Sequence, residues 1–337
     1  MFPLISLRDL DILKYRHTKS FTKTQMKKDL QQLHREFLKE CEFSMKLSSE
    51  TLRGYRDSFK LLIKLMPHID SASLVPDMIT EFFRRLEKRG RRIGRDTIKR
   101  GIKKSTLATY RSKLNKFFEW LRIKGHLEEN PFKRIPYPSV RYEDKKFLRR
   151  DQIEKIFAAL ALASPRPIVR KRNMAMFAVL LNCGLRRNEL VNLHVYDIDL
   201  IRKLLIVRAE TSKSRRERVI PLNSTVIPLI KDYFDERQRM KYTTQYVFVS
   251  STRDDKLSKD GLKHLVDSLK VRSGVNFHLH QFRHSFAVNI LSAGCDVAKL
   301  KQLMGHTDIR MTMVYLRCLP TKAMRADVEK LTFENLL

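Results

Sequence analysis

The chain has 337 residues, enough for about two domains, and 42% of them are hydrophobic, so sizeable cores can form. Against 37 acidic residues stand 69 Lys and Arg, a formal net charge of +32 at neutral pH. That excess is too large to serve solubility alone and points to a polyanionic partner, nucleic acid ahead of an anionic membrane surface. No apolar run reaches the roughly 18 residues that a bilayer span requires, so no membrane is expected as a partner. Charges through the first twenty residues leave no apolar core for an export signal. Cys41, Cys183, Cys295 and Cys318 show no CxxC spacing and read as free thiols in a reducing compartment.

In chain order, residues 1–47 form an N-terminal extension with a sparse apolar stripe: Met26, Leu30, Leu33, Phe37 and Cys41. The spacing predicts one amphipathic helix, packed on the next domain, on another subunit, or only loosely held. A helical unit follows over 48–133. Ser48 and Ser49 are candidate caps before the stripe Leu52, Tyr55, Phe59, Leu62, Met66. Met78, Phe82 and Leu86 share the face of a second helix that Gly90 can stop. The next stretch carries Arg91, Arg92, Arg95, Lys99, Arg100, Lys103 and Lys104, broken by Gly94 and Gly101. A charge run is ordinarily a solvated loop, but charges almost all of one sign repel, and a DNA phosphate-contacting loop fits them better. A third helix buries Leu107, Tyr110, Leu114, Phe117, Phe118 and Leu121 and ends near Gly125, with Asn130 and Pro131 closing the unit.

Residues 134–146, with two prolines and many charges, read as a linker. The second domain, 147–337, opens with helices at 151–162 and 170–182. Short β-branched runs (IDL, LLIV, RVIPL) then predict a three-stranded antiparallel sheet, with Lys213 at a hairpin tip. Helices resume at 258–271, 281–293, 296–304 and 307–317. A last amphipathic helix begins near Thr321, with Met324, Val328 and Leu331 on one face. The fold class is mainly α with a small antiparallel β-sheet.

Taken singly, each polar residue of the second domain has an ordinary structural explanation. Together, Arg186 in CGLRRNEL, Lys213 in a turn, His280 and Arg283 in HQFRH, His306 in LMGHTDIR and Tyr315 describe a site for a phosphodiester. His280 and Arg283, at i and i+3, share a helix face near its N-terminus, where phosphate is favoured. Two guanidinium forks can grip non-bridging oxygens and tighten as charge grows on them. A tyrosine hydroxyl has a free pKa of about 10 and needs cations and a proton acceptor to become a nucleophile. The departing sugar alkoxide needs an acid, for which Lys213 is a candidate. A phosphotyrosine conserves the energy of the broken bond, so no nucleotide fuel is needed. The motifs hold no carboxylate cluster for two metal ions and no GxxxxGK[ST] phosphate loop, so no cofactor is expected.

The chain resembles the tyrosine recombinases of the phage-integrase and Xer class over about residues 48–320. GLRRNEL is similar to the family's GLR-x-x-EL, SKSRRERVIPL to its lysine turn, HQFRHSFA to HxLRHTFA, and LMGHTDIRMTMVY to LGHxxxxxTxxY. The resemblance implies a helical SAM-like core-binding domain and a catalytic domain that clamp duplex DNA in a C shape. It implies that Arg186 and Arg283 bind the scissile phosphate and that Lys213 protonates the 5′ oxygen. By the same resemblance His280 serves proton transfer, His306 hydrogen-bonds the phosphate, and Tyr315 attacks to leave a 3′-phosphotyrosine. The implied partners are double-stranded DNA carrying recombination sites, a homotetramer on that DNA, and an accessory recombinase or directionality protein. The implied location is the cytoplasm, at the nucleoid. Two departures stand out: Ser212 and Ser214 replace the glycines that usually flank the turn lysine, and Cys183 stands where Thr is common. A DNA-relaxing enzyme with the same chemistry, and a non-catalytic DNA-binding regulator on the same fold, are the alternatives.

Overall fold

The computed structural model describes residues 29–69, 74–93, 97–136 and 146–319, together with 321, 325, 328 and 329. The expected helix before residue 29, most of the expected linker, and Met324 and Leu331 of the expected last helix lie outside these residues. The chain divides into two compact units, Met1–Tyr142 and Glu143–Leu337.

Among the described residues, the first unit contains four α-helices, α1 (Leu30–Phe43), α2 (Ser49–Leu65), α3 (Pro76–Lys88) and α4 (Lys104–Ile123). Helix α1 starts because the Asp29 carboxylate accepts from the Gln31 amide at 3.2 Å. Its stripe Leu30, Leu33, Phe37 and Cys41 is buried in one core with Phe59, Leu62, Phe82, Leu114, Phe117 and Phe118. The buried His34 ring stacks on Phe59 at 3.9 Å and meets Phe117 edge-on at 5.0 Å. Helix α1 is therefore part of this core, which is the first of the three placements expected for it. The Ser48 hydroxyl caps α2 by accepting from the Thr51 amide. Pro76 opens α3, where its missing N–H costs nothing.

The basic stretch after α3 differs from the expected loop. It is a hairpin of β1 (Arg91–Ile93) and β2 (Thr97–Lys99), antiparallel, with Arg91 opposite Lys99. Strands of three residues are too short for an alternating pattern to register in the sequence.

The second unit is built on α6 (Pro167–Cys183), whose Ala175 to Leu180 are all buried. It is flanked by α5 (Arg150–Ala161), α8 (Val226–Arg239) and α10 (Leu279–Ser292). After α6 come α7 (Arg187–Val191) and the antiparallel sheet of β3 (Ile198–Asp199), β4 (Leu204–Val207) and β5 (Arg218–Pro221), in that spatial order. Helices α9 (Lys259–Ser273), α11 (Val297–Met304) and α12 (Arg310–Met313) also belong to it. Helix α8 has no counterpart in the pattern reading: Glu236 and Arg237 are buried beside Ile230 and Tyr233, so charge interrupts its apolar stripe. The helix expected over 307–317 is also shorter. It breaks after Met313, and a 3-10 turn, Leu316–Cys318, follows Tyr315. Among the described residues, no helix is long and apolar enough to cross a membrane.

Burial, reinforced by the Arg56 charge, pushes the His34 pKa from 6.5 down to about 4. The unfolded chain therefore binds this proton more readily. Stability from neutral His34 is complete above its ordinary pKa and is lost as pH falls toward the folded value. The loss amounts to roughly 3 kcal/mol. Trp120 is the only tryptophan and packs against Phe37 and Phe117, so its fluorescence follows this unit. Urea melts between these two pH values are expected to lose stability steeply in the wild type and less steeply in His34→Leu. Equal slopes would mean the histidine is not what acid attacks.

Candidate active site

Helix α6 ends at Gly184, whose φ of 59° lies in the left-handed region. A Cβ there would stand 2.4 Å from a ring carbon of Phe286, so both conformation and space demand glycine. The reversal delivers Arg186 to the head of α7. Glu189, one turn on, accepts from the Arg186 amide at 2.8 Å and from its Nη1 at 2.9 Å. The same carboxylate takes both arms of the Arg218 fork, at 3.1 and 2.7 Å. Arg218 also donates Nε to the Leu303 carbonyl at 2.8 Å. Glu189 and Arg218 are both buried. Burial opposes the Glu189 charge, but the Arg218 hydrogen bonds and charge, followed by the Arg186 contacts, outweigh it and hold its pKa below the ordinary value.

Arg283 lies one turn into α10 and is 1% exposed. Its Nη1 donates to the Gly184 carbonyl and its Nη2 to the Met304 carbonyl. Nη2 also stands 3.2 Å from His306 Nε2. Arg186 Nη2 reaches the Gly305 carbonyl at 3.4 Å. The ends of α6 and α11 thus bring Arg186, Arg283 and His306 together. Burial, then the Arg283, Arg186 and Arg218 cations and His280, push the His306 pKa down to about 3. His306 is neutral at physiological pH. Because a guanidinium can only donate, Nε2 is the acceptor, and Nδ1 carries the hydrogen toward Thr312 Oγ1 at 2.9 Å.

Tyr315 does not sit on a helix. It follows α12, is 3% exposed, and packs with Phe286, Val288, Leu291, Leu300 and Met304. Its hydroxyl lies 2.8 Å from His284 Nδ1. Burial raises its pKa, while the Arg283 and Arg186 charges pull the other way, which sets the phenol within the field of both arginines. His280 is exposed in the first turn of α10, with its ring edge-on to His284 at 4.5 Å. Lys213 is exposed on the connection between β4 and β5. The base of that connection is tied to α7 by Asn188 Nδ2, which donates to the Thr211 carbonyl at 3.1 Å.

In the basic hairpin region, Arg100, Lys103 and Lys104 are exposed. Arg95 lies outside the described residues, as do the side chains of Arg91, Arg92 and Lys99. Among the described residues, no three His, Cys, Asp or Glu side chains converge to hold a metal ion. Sequence reasoning gave no role to Glu189, Arg218, His284 or Thr312, although His284 belongs to the cluster of histidines and arginines that it noticed. All four stand inside the motifs that drew attention to their neighbours, but a motif does not say which of its members turn inward.

Residues 146–321 match the sequence model of the phage integrase family, and residues 34–125 match that of the N-terminal SAM-like domain of phage integrases. The chain belongs to the phage integrase family. Enzymes of this family cleave DNA and transfer strands. A tyrosine recombinase of Thermosipho africanus is 29% identical over 272 residues, covering 80% of this chain and 89% of that protein. Tyrosine recombinase XerA of Thermococcus onnurineus is 30% identical over 220 residues, covering 65% and 73%. The integrase of transposon Tn1549, solved in complex with transposon right-end DNA, shares the fold with a TM-score of 0.69 at 19% identity, covering 90% of this chain and 99% of that one. The SAM-like match begins inside α1, in keeping with the place of that helix in the first core.

Glu189→Gln leaves the buried Arg218 and the half-buried Arg186 guanidinium groups against a neutral amide. Breaking a buried ion pair in this way costs about 3 kcal/mol or more. Urea unfolding of the catalytic unit is expected to shift by that amount. A shift of a few tenths of a kcal/mol would show that the backbone carbonyls alone secure the arginines.

Proposed function

We propose that this chain is a site-specific DNA recombinase that cuts and rejoins duplex DNA through a covalent 3′-phosphotyrosine at Tyr315. The observation that supports it most is the meeting of Arg186, Arg283 and His306 at the ends of two helices, with the Tyr315 hydroxyl inside their field. Arg186 and Arg283 bind the non-bridging oxygens of the scissile phosphate, and their attraction strengthens as the pentacoordinate transition state gains charge. Lys213, on its exposed loop, reaches the 5′ oxygen and protonates it as it leaves. His280, at the exposed head of α10, passes protons to and from solvent. His306 hydrogen-bonds the phosphate once its tautomer changes, since its Nε2 now accepts from Arg283. No nucleotide is consumed, because the phosphotyrosine linkage keeps the energy of the broken bond.

The wider reading is a homotetramer joining two recombination sites in the cytoplasm, at the nucleoid. Its work is integration and excision of a mobile element or resolution of a chromosome dimer. Arg91, Arg92, Arg95, Lys99, Arg100, Lys103 and Lys104 of the basic stretch hold DNA phosphates.

A duplex nicked beside the scissile phosphate traps the covalent adduct. Trapping is expected with the wild type and absent from Tyr315→Phe. Arg186→Ala is expected to bind the duplex at near wild-type affinity and form adduct at least about 100-fold more slowly. Undiminished trapping in Tyr315→Phe would refute the assignment of the nucleophile. Replacing Arg100, Lys103 and Lys104 with Gln is expected to flatten the dependence of log affinity on log salt by about 0.9 for each DNA phosphate no longer neutralised. A slope equal to the wild type's would return these residues to plain solvent exposure.

A further inference from the structure

Attack by Tyr315 needs a group that takes its proton, and two histidines were expected to serve the site. Neither fits that task well. His306 has both ring nitrogens engaged, with Arg283 and Thr312, and the surrounding cations disfavour an added proton. His280 is exposed, and its ring lies against His284. A third histidine, buried and assigned no role so far, makes the hydrogen bond: His284 Nδ1 stands 2.8 Å from the Tyr315 oxygen. Proton transfer needs heavy atoms at this separation.

We propose that His284 is the general base of this site, taking the Tyr315 proton as the phenol oxygen attacks phosphorus and returning it when the phosphotyrosine is resolved. The inference rests on the recombinase reading. With Nε2 protonated, Nδ1 offers its lone pair to the hydroxyl. The O–H bond breaks toward Nδ1, the phenol oxygen bonds to phosphorus, and the bond from phosphorus to the 5′ oxygen breaks. The general acid gives that oxygen its proton. In the return step the new 5′ hydroxyl attacks and gives its proton back to the general acid, now a base, while the phenol oxygen leaves and takes the proton of the His284 imidazolium. Nothing is oxidised or reduced. The charged and titratable groups around the pair are His280 and Arg283 on α10 itself, Arg186 from the head of α7, and Cys318 from the turn after Tyr315. The edge-on His280 ring gives the imidazolium a neighbour nearer to solvent.

The test is single-turnover adduct formation on the nicked duplex at saturating DNA, for the wild type, His284→Asn and His284→Gln. Asn places a non-basic acceptor where Nδ1 stands, so it keeps a hydrogen bond without a base. Adduct formation by His284→Asn is expected to slow about 100- to 10,000-fold at neutral pH, with the deficit narrowing as pH climbs toward the phenol's own ionisation. A substrate with a 5′-thiol leaving group, which departs without a proton, is expected to leave the deficit in place. A rate within about threefold of wild type would show that the imidazole only positions the hydroxyl, too little for a base. Recovery on the thiol substrate would move His284 to the acid side. Either result overturns the proposal. If both variants fail to bind DNA or to melt cooperatively, the wild-type profile on the thiol substrate decides. An acid limb is expected there, and a flat profile overturns the proposal. Absence of any adduct from the wild type would count against the recombinase reading itself, before His284 is in question.

Discussion

The charge of Arg283, on a side chain only 1% exposed, has to be held inside the catalytic unit. An isolated ion at that depth is very costly. The cost is met mostly by peptide dipoles. Arg283 is satisfied by the carbonyls of Gly184 and Met304, Arg218 donates Nε to Leu303 beside its two bonds to Glu189, and Arg186 reaches Gly305. These are carbonyls at the C-terminal ends of α6 and α11, where orphan acceptors and partial negative charge coincide. One full negative charge, Glu189, stands among three guanidinium groups. Had a carboxylate neutralised each arginine, little field would remain for a phosphate. Dipoles satisfy the donors and leave the positive charge in place.

That solution dictates much of the local backbone. Both helices end in left-handed glycines, Gly184 and Gly305, which turn the chain sharply and free the last carbonyls. Both glycines also leave room. Phe286 occupies the space a Cβ would take at Gly184, and Arg218 comes within 3.1 Å of one at Gly305. Residues far apart in sequence are drawn together because each supplies one part of the solvation of a buried cation. The same field has a second effect: it disfavours a further positive charge, which helps hold His306 neutral.

The fold class was legible in the sequence, because long amphipathic helices and a hairpin-linked sheet have clear periods. Helix α8 was not, since Glu236 and Arg237 sit at buried positions and break the stripe. Nor was the basic hairpin, whose strands span three residues each. In the site, the order and spacing of Arg186, Arg283, His306 and Tyr315 raised the expectation of a phosphodiester site, and the structure places these four near one another. The supporting residues were hidden for a different reason. Glu189, Arg218 and His284 are polar side chains whose roles depend on partners distant in sequence, and nothing local distinguishes a buried carboxylate or imidazole from an exposed one. Tyr315 was placed on a helix because TDIRMTMVYL has a helical period, but the chain leaves the α-helix after Met313 and tucks the ring into the cluster around Leu300 and Met304.

The arginines cannot by themselves prepare the phenol. In the free protein their charges lower the Tyr315 pKa, but burial outweighs them and the value stays above the ordinary one. Arrival of a DNA phosphate would bring a negative charge to those same guanidinium groups and offset part of their pull on the phenol. On the proposed roles, the field that binds the phosphate would thus be partly spent on it when the phenol must ionise. A proton acceptor in direct contact with the hydroxyl does not suffer this loss, because its effect runs through a hydrogen bond and not through shared charge. Such an acceptor also keeps the phenol protonated until phosphorus is within reach, so the site need not maintain a free phenoxide in an apolar cluster, which burial would penalise most.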